Sequence, residues 1–415
     1  MKVLISAYSC EPGRGSERGV GWNVAYEVAK HNEVWVLTRP DESREAIEAE
    51  LVANPLPNLH FVYFTLPFWQ DSMRLGQSGA MQIHYYLWQI QAYFVARKLH
   101  RKIGFDLAHH VTFVKYSAPS LLSLLPIPFV WGPVGGGESA PPKFWKDFSF
   151  RARLYEWARD IFRNTGQRDP MVGMTIRNSA VVRATTDDTA KRLYQMGATT
   201  VQIVPEVGLL DEEIAALNQY PLPASQPIRF ISMGRLLHWK GFHLGVQAFA
   251  KANLTDAEYW LVGEGPEMDN LKHLAETGGV TDKVKFLGRL PREETLECLG
   301  ESHVLVHPSL HDSGGWVCIE AMASGRPVIC LNLGGPAIQV TEQTGFKLSA
   351  QDPDQVIRDM ASVMQKLAHN PNLRIQMGKA GRQWVNENFS WKVVGERLNS
   401  LYKETVTTET VAREP

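Results

Sequence analysis

Short apolar runs recur along the chain, each ending in glycine or a polar turn and each followed by a longer stretch of mixed polarity. KVLISAY, residues 2–8, is such a run and leads into the glycine-rich EPGRGSERGVGW. Apolar runs of this length read as buried strands, and the mixed stretches between them as helices. A helix is expected from about Trp22 to Lys30, then the strand EVWVLTR, which completes a βαβ unit. NLHFVYFTL, FDLAHHVTF, PIPFVWGPV, NSAVVRATT and TVQIVPE continue the series of strands. After LNQYPLPASQP, a proline-rich linker, the program restarts with IRFISMGRL, followed by YWLVGEG, VKFLGRL, HVLVHPS and RPVICLN.

Strands alternating with helices predict parallel, doubly wound sheets. The fold class expected is α/β, with two Rossmann-like domains facing each other across a deep cleft. The boundaries read from the pattern are 1–220 for the first domain, 221–388 for the second, and 389–415 for a C-terminal helix and tail. That helix is expected to pack back on the first domain, and the polar tail TVTTETVAREP to fray. Residues 141–168 interrupt the alternation with a basic, aromatic stretch that reads as helical. In open α/β sheets ligands bind beyond the carboxyl ends of strands, so the loops after strands are where chemistry is sought.

Composition narrows the picture little. The 415 residues carry 43 Lys and Arg against 44 Asp and Glu, which gives no sign of a nucleic-acid binder. Cys10, Cys298, Cys318 and Cys330 form no C-x-x-C pair, so neither a zinc site nor a disulfide framework is expected, and a reducing, cytoplasmic compartment fits. No stretch approaches the ~20 apolar residues of a membrane span.

In the second half, MGRLLHWKGF places Arg235 and Lys240 in a loop beyond a strand, where two cations suit a diphosphate or form a solvated surface pair. Gly263 and the Gly288-Arg289 pair end the next two strands, as places for a flat base to meet backbone or as plain turns. HPSLHDSGGWVCIEAMASG then runs from strand through loop to helix. The amides of Ser313, Gly314, Gly315 and Trp316 fall at a helix N-terminus, which favours an anion. Glu320, one turn into that helix among core-like neighbours, needs a partner, and vicinal ribose hydroxyls are one match. An exposed Glu320 with Asp312 as a loop acid is the other reading.

The order GR-x-x-x-x-KG, LVGEGPE, FLGRL, PSLHDSGGWVCIEAMASGRPVI and GGP resembles the retaining glycosyltransferases of family 4, which have the two-domain GT-B fold. The resemblance is strongest from about 228 to 350. The family's usual element is Glu, seven residues, Glu; here Asp312 takes the first place and Glu320 keeps the second. The resemblance implies that Arg235 and Lys240 hold the donor diphosphate, Glu320 the ribose and Asp312 the transferred sugar. It also implies that the glycine amides lie near the sugar and diphosphate, Gly263 and Gly288-Arg289 near the base, and that no metal is needed.

In the first domain the resemblance places Gly15 and Ser16 beside the donor phosphates and a histidine, His110 rather than His109, close to the transferred sugar. The glycine loop is too long for a dinucleotide turn and no ribose-binding acid follows the second strand, so NAD(P) is not expected. His109 and Glu138 are acceptor-side candidates. The CEPGRGSE and GPVGGGE loops resemble those of bacterial exopolysaccharide and cell-surface glycan transferases. The implied activity is hexose transfer from a UDP- or GDP-linked donor to a glycan or lipid-linked acceptor by front-face substitution, since no second carboxylate stands out as a nucleophile. The basic, aromatic 143–168 stretch suits peripheral membrane contact, or else packs on the core. A soluble transferase making a small glycoside and a non-catalytic sugar-nucleotide-binding protein are the alternatives.

Overall fold

The computed structural model describes residues 1–40, 43–69, 79–205, 207–221 and 226–413, so four residues of the proline-rich linker lie outside it. Among the described residues the strands are β1 (Lys2–Ser6), β2 (Glu33–Thr38), β3 (Leu59–Tyr63), β4 (Leu107–His110), β5 (Phe129–Val134), β6 (Val181–Ala184) and β7 (Gln202–Ile203). They continue as β8 (Ile228–Met233), β9 (Ala257–Val262), β10 (Val284–Gly288), β11 (Val304–His307), β12 (Val328–Leu331) and β13 (Gly345–Leu348). Two parallel sheets result, in the orders β3-β2-β1-β4-β5-β6-β7 and β10-β9-β8-β11-β12-β13. Both are Rossmann-like, with helices in the crossovers. The edge strand β13 was not among the predicted ones: in GFKL only Gly345 and Leu348 are buried, and four residues containing a glycine and a lysine are too short an apolar run to stand out.

Contacts divide the chain into two compact units that interleave in sequence. One is Met1–Gly137, Ala158–Glu206 and Trp391–Pro415; the other is Glu138–Trp157 and Val207–Ser390. The break after 206 and the transfer of 138–157 differ from the linear reading, and the reason is apolar burial. Ala140, Phe144, Phe148 and Ala152 are buried in one cluster with Phe230, Phe242, Leu254 and Val284 of the second unit. Each large side chain so buried contributes about 1.5–3 kcal/mol, enough for the packing to outweigh position in the chain.

In the first unit the sheet core gathers Leu4, Tyr8, Trp88, Phe129 and Trp131. The first helix spans Ser16–Ala29, six residues earlier than the pattern predicts. Gly21 lies inside that helix because a side chain there would meet the Ser9 carbonyl oxygen at 2.2 Å. The glycines therefore serve close packing of helix on loop. The C-terminal helix, Trp391–Arg413, runs through the polar tail expected to fray, and Asn399 Oδ1 accepts from Asn32 Nδ2 at 3.1 Å. Among the described residues no helix is long and apolar enough to cross a membrane.

Candidate functional site

In the second unit β8 and β11 are paired, so the loops that follow them are neighbours although 72 positions separate Lys240 from Asp312. The turn His238–Lys240 ends at Gly241, with φ +68, where any Cβ would lie 2.0 Å from the Pro308 carbonyl oxygen. Only glycine lets the two loops press together there. Asp312 Oδ2 accepts from Lys240 Nζ at 2.5 Å and from His307 Nε2 at 3.2 Å, and Oδ1 accepts from the Gly315 N–H at 3.2 Å.

The electrostatics follow from this packing. Burial alone would push the Asp312 carboxyl up, but the His307 hydrogen bond and the Lys240 charge outweigh it and hold the group well below the usual carboxylate range. Burial lowers His307, which leaves the ring neutral near pH 7. Its Nε2 then carries the proton given to Asp312, while Nδ1 has no partner among the described residues.

The GGP motif backs this loop. The Gly335 N–H donates to the Asp312 carbonyl at 2.8 Å, and Gly334 has φ +59 with its Cβ position only 2.3 Å from the same oxygen. Gly315, with φ +60, caps the helix Trp316–Ala323, Gln339 donates to the Gly314 carbonyl, and Trp316 Nε1 donates to the Gly208 carbonyl at 3.0 Å. The Gly315 amide is thus engaged by Asp312 instead of standing open at the helix end, as the sequence had suggested. Ser313 lies on the same loop and its carbonyl abuts Gly335.

Glu320 is buried in that helix, as its apolar neighbours suggested, but its partner was not foreseen. Arg292 Nη1 donates to Glu320 Oε1 at 2.7 Å, and Nη2 donates to Glu213 Oε1 at 3.1 Å. Burial raises the Glu320 carboxyl and Arg292 only partly offsets it. Arg292 occurs in PREE, which reads as an ordinary helix start. His307 was hidden for another reason: it ends a strand and looks like core.

Arg235 and Arg289 are exposed. Gly263 has φ +140, and a Cβ there would stand 1.9 Å from the Gly234 carbonyl, so the close approach it permits is to the neighbouring loop of its own sheet. Gly288 has φ +69 with open space at its Cβ position.

In the first unit, Gly15 precedes the first helix and Ser16 begins it with φ +59. A left-handed serine is an uncommon, strained conformation. His109 and His110 point to opposite faces of β4, as alternation requires. His109 Nδ1 pairs with the Tyr402 hydroxyl at 2.5 Å and Nε2 with the Gly132 carbonyl at 2.7 Å. His110 Nε2 faces the Tyr85 hydroxyl at 3.2 Å and the Thr112 carbonyl at 3.1 Å, while its Nδ1 has no partner among the described residues. Burial lowers both rings to about 3, so both are neutral. Glu138, buried, falls in the second unit by contacts.

Residues 216–384 match the family described as glycosyl transferases group 1. Lys240, Asp312, Glu320 and Arg292 all lie within that match. The chain is 29% identical over 228 residues to the 2-deoxystreptamine glucosyltransferase of Streptomyces kanamyceticus, covering 52% of this chain and 58% of that one. It is 33% identical over 153 residues to a GDP-mannose-dependent monoacylated alpha-(1-6)-phosphatidylinositol monomannoside mannosyltransferase of Corynebacterium glutamicum, covering 35% and 39%. The matches thus span about half the length of these glycosyltransferase relatives or less. Among solved structures, Anabaena HepE in complex with UDP and glucose superposes with a TM-score of 0.60 over 98% of this chain and 100% of that one, at 18% identity. The chain has the GT-B fold class of two Rossmann-like domains.

Proposed function

We propose that this glycosyltransferase transfers a hexose from a UDP- or GDP-linked donor with retention of anomeric configuration. The observation that carries the reading is the Lys240–Asp312 pair, fixed on two adjacent strand-end loops with Glu320 in the helix that follows. A lysine ammonium has three donors; one serves Asp312 and the others suit diphosphate oxygens. Arg235, exposed and five positions earlier on the same loop, adds a second cation. Glu320 suits the ribose hydroxyls, with Arg292 as the group that holds it when no nucleotide is bound.

In the proposed step the acceptor hydroxyl oxygen bonds to the anomeric carbon while the bond from that carbon to the phosphate oxygen breaks on the same face. The hydroxyl proton passes to the departing phosphate. Lys240 and Arg235 offset the charge that develops there and take the role a metal ion fills elsewhere. Asp312, held as a carboxylate, orients hydroxyls of the transferred sugar. The relatives' names supply both a GDP-mannose donor and, in the solved neighbour, UDP with glucose.

For the acceptor, the helix Phe150–Gly166 exposes Phe150, Leu154, Trp157 and Phe162 together with Arg151 and Arg153. Apolar and basic side chains side by side suit an anionic lipid surface and a lipid-linked sugar. Transfer to a small soluble acceptor is the second reading, drawn from the 2-deoxystreptamine glucosyltransferase relative. A thermal-shift screen against UDP- and GDP-sugars, followed by assay of nucleotide release, tests the donor reading; no shift and no release with any of them refutes it. Flotation with vesicles containing phosphatidylglycerol separates the acceptor readings, with co-flotation expected and its absence favouring the soluble one.

A further inference from the structure

Helix Phe150–Gly166 holds one buried carboxylate, Glu156, which is fully covered although most of the helix is exposed. Glu156 Oε1 faces His238 Nε2 at 2.9 Å and His311 Nε2 at 3.3 Å. These histidines come from the two loops of the donor site. His238 lies two positions before Lys240, and His311 directly precedes Asp312. Trp239 stacks on His311 with ring centroids 5.2 Å apart, and on Tyr155, next to Glu156, at 5.4 Å. The Leu310 N–H closes the link by donating to the Trp239 carbonyl at 2.8 Å.

A buried charge is costly, and an apolar side chain at this position would pack the Phe150–Trp157 part of the helix into the second unit more cheaply. What a carboxylate adds is direction: one oxygen placed between two ring nitrogens fixes both loops relative to each other. Among the described residues no group of three or more His, Cys, Asp or Glu side chains is placed to hold a metal ion, so a metal does not explain the cluster. We propose that Glu156 is a positioning residue for the donor site, which sets Lys240 against Asp312 by joining His238 and His311. The inference rests on the donor reading of those two residues. It gives the inserted segment Glu138–Trp157 a task in donor binding beyond completing the core.

The test uses the full chain with Glu156→Met, which keeps length and removes the acceptor oxygens, Glu156→Gln, which keeps one, and His311→Phe, which keeps the stack on Trp239. Hydrogen exchange is followed in peptides covering 235–241 and 308–316, with β9 and β10 as internal controls. Affinities for UDP-glucose and GDP-mannose are compared with those for UMP and GMP. Expected are faster exchange in both loops for Glu156→Met and His311→Phe with unchanged β9 and β10, partial rescue in Glu156→Gln, and nucleotide-sugar binding weakened roughly tenfold. Monophosphate binding, which relies on Glu320, should change less than twofold. Native-like exchange in both loops, or equal loss for sugar and monophosphate, overturns the proposal while leaving the donor reading intact. A native protein that binds none of the four ligands removes the donor reading, and the proposal with it.

Discussion

Asp312 and Glu320 stand eight positions apart in one stretch, both carboxylates and both largely buried, yet the fold drives them in opposite directions. Among the described residues the Asp312 side chain has three partners, Lys240, His307 and the Gly315 amide, and is held far below its ordinary range. Glu320 has Arg292 alone among the described residues, and burial prevails. Burial pushes both carboxyls up; the donors that reach each one decide the outcome. The loop acid is therefore held as a fixed negative charge, whereas the helix acid depends on a single donor; the proposed division, Asp312 for the sugar and Glu320 for the ribose, builds on that difference.

The strongest challenge to that contrast is Lys240→Ala. Transfer is expected to fall roughly 10²–10³-fold, as when one preorganised charge-stabilising donor is removed, and nucleotide-sugar affinity with it; steady-state nucleotide release measures both. Asp312→Asn comes next, with transfer reduced about 10²-fold while UMP or GMP affinity stays within threefold. Glu320→Gln reverses the pattern, weakening the monophosphate by about tenfold and transfer only in proportion; equal nucleotide losses in the two variants would erase the division of roles.

The pH dependence of stability sharpens the comparison. With Asp312 held below its unfolded value of ~3.9, the native state carries fewer protons than the unfolded chain as pH falls through that value. Its contribution is present above about pH 4 and lost below it, so Asp312→Asn should flatten the acid limb of melting temperature against pH. Glu320 is raised above its unfolded ~4.3, so its contribution is present below that pH and lost as pH rises through the native value. Glu320→Gln should remove that decline. The smallest effect is expected from Gly334→Ala, a clash with the Asp312 carbonyl in a left-handed conformation, at about 1–3 kcal/mol of stability, read by chemical denaturation.

The strand series was legible because parallel strands buried on both faces are nearly continuous apolar runs; IRFISM and VLVH could hardly be anything else. That GR, KG and DSGG fall in loops after strands was legible as well, and of the two readings of Glu320 the structure bears out the buried one, which its core-like neighbours had suggested. Arg292, His307 and Glu156 were not legible. Each reads locally as a helix start, a strand end or a solvated acid. Their roles come from partners 28, 5 and 82 or 155 positions distant, as the Glu320, Asp312, His238 and His311 contacts record.

The two-sheet architecture, the strand-end loops and the residue types available in them follow from the order of residues, because periodicity and local residue type are properties of neighbours along the chain. Tertiary packing settled that Glu138–Trp157 completes the second unit, that the C-terminal helix extends through the polar tail to Arg413, and that two acids of one loop–helix stretch are shifted in opposite directions. Those outcomes depend on burial and on which donors reach a carboxylate, and both are set by packing between segments far apart in the chain.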